Sequence, residues 1–129
     1  MTNKEIRISY IEYNGIDELK TDDQELVKAA IAATATAYAP YSNFHVGAAV
    51  RFEDGEVVQG SNQENAAYPS GICAERTTLF YASASRPGKP MAALAIAACQ
   101  GGELVEKPVT PCGACRQVIL ETEKRFNRA

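Results

Sequence analysis

The sequence predicts an α/β fold in which helices cover a sheet on both faces. Three observations carry this: the periodicities run in the order α-β-β-α-β-α, an Asp54-Gly55 pair joins the first two strand-like runs, and a helical crossover follows that hairpin. A length of 129 residues suits one domain, 1–129, with residues 1–20 as an N-terminal extension.

Ile6, Ile8 and Tyr10 alternate with Arg7 and Ser9, which predicts a half-buried strand over Lys4–Tyr13, ended by Asn14-Gly15. Thr21 with Gln24 has the form of a capping box, and Leu26, Val27, Ala30, Ile31, Thr34 and Tyr38 recur at helical spacing. A helix over about 22–38, stopped by Pro40, is expected. Strands Val46–Phe52 and Val57–Gly60 flank the turn Glu53-Asp54-Gly55-Glu56. Residues 62–71 lose periodicity and collect Asn, Gln, Glu, Pro, Ser and Gly, as functional surface loops do. A second helix spans about Cys73–Ser85 and is broken by Pro87-Gly88. The apolar run Met91–Cys99 reads as a buried strand, and Pro111 opens a third helix with Cys115, Val118, Ile119, Thr122 and Phe126 on one face.

Hydrophobic residues make up 46% and charged residues 22%, ordinary for a folded domain. A net charge of −3 supplies no positive field for a phosphate backbone, so nucleic acid is not the expected partner. No apolar stretch is long enough to span a membrane, and the N-terminus lacks a signal-peptide core, which predicts a soluble cytoplasmic protein. In that compartment four cysteines serve as ligands or catalytic thiols rather than disulfides.

Cys73-Ala74-Glu75 opens one predicted helix and Pro111-Cys112-Gly113-Ala114-Cys115 another. Zinc held by three protein ligands keeps a fourth position for water and lowers that water's pKa toward ~7. Cys112 and Cys115 can reach one metal across a single turn, Cys73 completes the set, and Glu75 can accept and return protons without occupying the metal. A ligand-x-Glu followed by Pro-Cys-x-x-Cys is the zinc deaminase arrangement.

With these motifs in place, the chain resembles a cytidine deaminase of the small, homotetrameric, three-cysteine class. The matching stretches are Tyr38–Ala49, Gly60–Thr77 and Pro111–Val118. The resemblance implies a three-layer αβα sandwich on a central mixed sheet, and hydrolytic conversion of cytidine and deoxycytidine to uridine and deoxyuridine with release of ammonia in pyrimidine salvage. It implies Zn²⁺ on Cys73, Cys112 and Cys115, with Glu75 as proton carrier. Asn62 and Glu64 would bind the ribose and Phe44 would pack on the pyrimidine, with Ala74 also among the substrate contacts. Ala66 and Tyr68 would approach a neighbouring subunit's site in a homotetramer. Arg76 is a second source of positive charge beside the thiolates, after the helix N-termini. Relatives continue for two more strands and a helix carrying an aromatic that covers the base.

Other readings stay open on the residues alone. Cys112-x-x-Cys115 could be a redox dithiol. Cys99 could be a fourth ligand of a closed structural zinc site or core filler, and a deaminase of bases within nucleic acid would share the motif. Asn62 and Glu64 could be loop polars, and Phe44 a core residue. His45, the only histidine, stands next to a strand and away from the cysteines. Three strands leave the one after the crossover with an unpaired edge, so a longer chain, a partner or the N-terminal strand is expected to cover it.

Overall fold

A computed structural model describes residues 1–129. Its centre is a four-stranded sheet in the order β2-β1-β3-β4. Strand β1 (Phe44–Phe52) pairs with β2 (Val57–Ser61) and with β3 (Met91–Gln100), and β3 pairs with the two-residue β4 (Glu103–Leu104). Every pair of strands is antiparallel, so the expected mixed sheet is corrected. Two neighbours antiparallel to β1 are parallel to each other, and the crossover between them runs through helix α2 (Ala74–Ser85). The parallel relation therefore exists without a parallel hydrogen-bonded pair.

The helices cover both faces, as expected. Period-two alternation of β1 sends Ala49 to one side, where with Ala97 it meets Leu26 and Ala30 of helix α1 (Thr21–Ala33). Val50 and Phe52 go to the other side and pack with Val58, Leu79 and Ala82. Val118 and Ile119 of helix α3 (Gly113–Phe126) pack against that second cluster. At Gly47 a Cβ would lie 2.0 Å from the Ala30 carbonyl oxygen, so the missing side chain is what lets α1 sit down on β1.

Between β1 and β2 the loop Glu53-Asp54-Gly55 closes with Gly55 at φ +93°, a conformation that costs glycine nothing. Glu56 there accepts from Arg86 and Lys89, tying the hairpin to the α2–β3 connection.

Three expectations fail locally. Residues 4–13 form no strand: Ile6, Ile8 and Tyr10 are 90%, 87% and 82% exposed, because no neighbouring strand offers the backbone partners an isolated strand needs. That segment therefore does not cover the edge of β3, which is paired on its outer side only at its end, where Cys99 and Gln100 meet β4 and the Ala98 carbonyl accepts from Val105. The capping box does not form. Lys20 is the N-cap of α1, Thr21 is already helical, and the Gln24 amide donates back to the Leu19 carbonyl at 2.9 Å. Helix α1 ends at Ala33 and tightens into a 3₁₀ turn over Thr34–Thr36, where the Thr34 and Thr36 hydroxyls bond the Ile31 and Ala33 carbonyls.

Candidate metal centre and cleft

Helix starts place the three cysteines. Cys73 is the N-cap of α2 and Cys112 the N-cap of α3, with Cys115 one turn further on and fully buried. The three sulfurs lie within 4.8 Å of one another, and those of Cys73 and Cys112 are 3.8 Å apart. Tetrahedral zinc with Zn–S bonds of about 2.3 Å needs sulfurs roughly 3.8 Å apart, so this donor set fits the metal. It fits a dithiol pair less well, since the third sulfur shares the cluster. Cys99 is not in it; its sulfur faces the Thr34 hydroxyl at 3.5 Å. His45, paired with Cys99 across β1 and β3, is also outside the cluster.

Positive potential reaches the sulfurs from two directions. The Cys115 backbone N–H donates to the Cys112 sulfur at 3.4 Å, which is the chief reason the Cys112 thiol pKa is lowered. The Arg76 guanidinium donates to the Cys73 sulfur at 3.6 Å, and Cys73 followed by Cys115 raises its pKa in turn. Burial pushes the Cys115 thiol up, and the Glu75 carboxylate adds to that rise. Glu75 is thus close enough to be felt by a ligand sulfur, yet it stands outside the group of mutually close donor atoms. It is 5% exposed, and no side chain donates to its carboxylate.

A cleft of about 550 Å³ opens beside Cys73 and Arg76. Its wall includes Asn62, Glu64, Ala66 and Tyr68, together with Tyr41 and Ser42. Residues 62–64 continue β2 as an extended segment, with Glu64 N–H bonded to the Tyr38 carbonyl and Gln63 paired both ways with Ile72. The Asn62 amide is partly used by the fold. It accepts from the Val46 N–H and donates to the Phe44 carbonyl, which closes the end of β1 against β2. One Oε of Glu64 accepts from the Tyr41 and Ser42 amides at 3.0 and 3.2 Å. The Ser42 hydroxyl first, with those amides, holds the Glu64 carboxyl below the ordinary carboxylate range. Both amides fall on the same oxygen of Glu64, and no backbone N–H reaches the other.

Phe44 opens β1, half-buried, and is not on the cleft wall; Ala74 is fully buried and not on it either. Ala74 is the first residue of α2, so its backbone N–H has no partner within the helix. Sequence reasoning missed the cradle made by Tyr41 and Ser42. Its only trace there is Pro40-Tyr41-Ser42-Asn43, a turn in which Asn43 takes the left-handed φ of 54°.

The family model for the cytidine and deoxycytidylate deaminase zinc-binding region matches residues 20–127. A cytidine deaminase from Halalkalibacterium halodurans is 49% identical over 100 residues, covering 78% of this chain and 71% of the relative. The crystal structure of cytidine deaminase from Burkholderia pseudomallei superposes with a TM-score of 0.66 at 51% identity, covering 74% of this chain and 72% of that one. Cytidine deaminase from Mycobacterium tuberculosis gives 0.67 at 42% identity, covering 80% and 79%.

Proposed function

The chain belongs to the cytidine and deoxycytidylate deaminase zinc-binding family, and from that premise we propose that it hydrolyses cytidine and deoxycytidine to uridine and deoxyuridine, releasing ammonia. The observation that carries the proposal is the juxtaposition of three sulfurs at metal spacing with a buried, unpartnered Glu75 beside them. Cys73, Cys112 and Cys115 would hold the zinc. When bound, the metal supplies Lewis acidity that makes hydroxide available from water at neutral pH.

The chain's own groups do the rest. Glu75 takes the proton released by the water, delivers one to the ring nitrogen next to the carbon bearing the amine, and carries another to the departing amine. One water is consumed and one ammonia leaves, so no redox partner enters. The other oxygen of Glu64 accepts from a ribose hydroxyl, and the remaining N–H of Asn62 donates to one. Phe44 packs against the pyrimidine, and Ala74 contributes its backbone N–H. The exposed Ala66 and Tyr68 reach a neighbouring subunit's site in a homotetramer; Tyr68 is 92% exposed in the single chain, which supports a role outside it. No helix of the structure is long and apolar enough to cross a membrane, and a nucleoside small enough for the cleft is the substrate class that fits the acidic charge balance.

Zinc analysis with a spectrophotometric cytidine assay tests this. Stoichiometric zinc with ammonia released from cytidine is expected. Zinc without ammonia from any cytosine nucleoside would leave only a structural metal site.

A further inference from the structure

The eight residues from Val105 to Cys112 carry the exposed ligand Cys112 into the cluster, and they are held very sparsely. Val105 donates to the Ala98 carbonyl at the sheet. Between there and Cys112 the only hydrogen bond to residues 106–111 is from Arg116: its Nε donates to the Pro111 carbonyl at 2.9 Å. Pro108 and Pro111 have no N–H to offer. The same residue's backbone N–H donates to the Cys112 carbonyl, also at 2.9 Å. The Pro111 carbonyl belongs to the peptide plane before Cys112, and the Cys112 carbonyl to the plane after it. Fixing both planes fixes φ and ψ of Cys112, and with them the direction of its Cβ; the Cys115 N–H on the sulfur then holds the side-chain rotamer.

We infer that Arg116 is a positioning residue for the metal centre, which clamps the two peptide planes around Cys112 and so aims the Cβ of the one solvent-exposed ligand toward the cluster. Cys73 and Cys115 need no such device. Cys73 follows Ile72, which is paired in both directions with Gln63, and Cys115 is buried within α3. The inference rests on the proposed assignment of the three cysteines as zinc ligands.

Arg116→Met is the sharp variant, because Met matches Arg in helix propensity and in the length of its stem while removing the donors. Zinc release to a chelator should be about tenfold faster than from the unsubstituted protein, within the range for groups that orient metal ligands. The thiolate-to-metal band of the cobalt-substituted protein should weaken, and the melting temperature of the metal-free protein should not change. Arg116→Lys, which keeps a donor, should restore most of the retention, and Arg125→Gln at the far end of α3 should have no effect. Unchanged zinc release in Arg116→Met would overturn this inference alone. Equal melting losses in the metal-free Met and Lys variants would also overturn it, by making Arg116 a general helix support. Absence of zinc from the unsubstituted protein would overturn it together with the ligand assignment.

Discussion

Glu75 sits at the second position of α2, almost sealed from solvent, and its carboxylate has no donor from the chain to occupy it. Burying a carboxylate without partners is costly, which packing alone does not repay. Glu75→Gln preserves size and removes the proton carrier. It should lower kcat by about 10²- to 10⁴-fold while zinc stays stoichiometric by metal analysis. Arg76 acts on the same centre differently. Three thiolates outweigh a divalent ion, and Arg76 donates to the Cys73 sulfur from a half-buried position. Arg76→Ala should weaken zinc retention and turnover together, by about tenfold in a chelator competition, and unchanged values for both would exclude a tuning role. Cys73, Cys112, Cys115 and Glu75 are legible in sequence because their roles depend on spacing along two helix starts. The double duty of Asn62, whose amide closes β1 against β2 at the cleft wall, is not legible, since Phe44 and Val46 are far from it along the chain.

At the scale of elements, the seat of α1 on β1 depends on one missing atom. In Gly47→Ala the new Cβ would meet backbone at Ala30 and Thr34 rather than a side chain that could swing away, so the helix itself must move. A loss of about 3 kcal/mol is expected from chemical denaturation, at the upper end for overpacking. The β1–β2 hairpin carries a pH-sensitive tie. Arg86, then Lys89, lowers the Glu56 carboxyl from 4.5 to about 2. A folded-state pKa below the unfolded value means that the stability it contributes is complete above pH 4.5 and is lost as the pH falls toward 2. Melting temperature should drop across that window, and Glu56→Gln should flatten part of the drop while lowering the plateau. An identical profile in the variant would show that the tie adds nothing to stability. The hairpin, the crossover helix and α3 were all readable from turn residues and periodicity. The N-terminal strand and the capping box were not, because alternation and a Thr-x-x-Gln spacing state what a segment can do, and neither supplies its partner.

For the whole molecule, Ala66 and Tyr68 stand exposed on the cleft wall, and in the proposed tetramer they would be shared with a neighbour's site. Such sharing has a consequence that a monomeric site would not. Tyr68→Ala and Glu75→Gln should each be nearly inactive alone. Dissociated and reassembled together, they should recover part of the activity, because some sites then combine an intact Glu75 with a neighbour's intact Tyr68. No recovery on mixing would place Tyr68 in its own chain's site.

What the sequence determined by itself was the chemistry: three thiols and a carboxylate at helix starts, in the order of the zinc deaminase motif, on a chain with the periodicities of a helix-covered sheet. What only the tertiary structure decided was which strands pair and in what direction, that β1 lies between β2 and β3, and how Asn62, Glu64 and Arg116 are held. The division has a physical reason. Ligand spacing and amphipathic period are local properties, set by the rise and turn of a helix or strand. Pairing direction, the fit at Gly47 and the clamp around Cys112 depend on which backbone groups meet across space, and those meetings exist only once the core has closed.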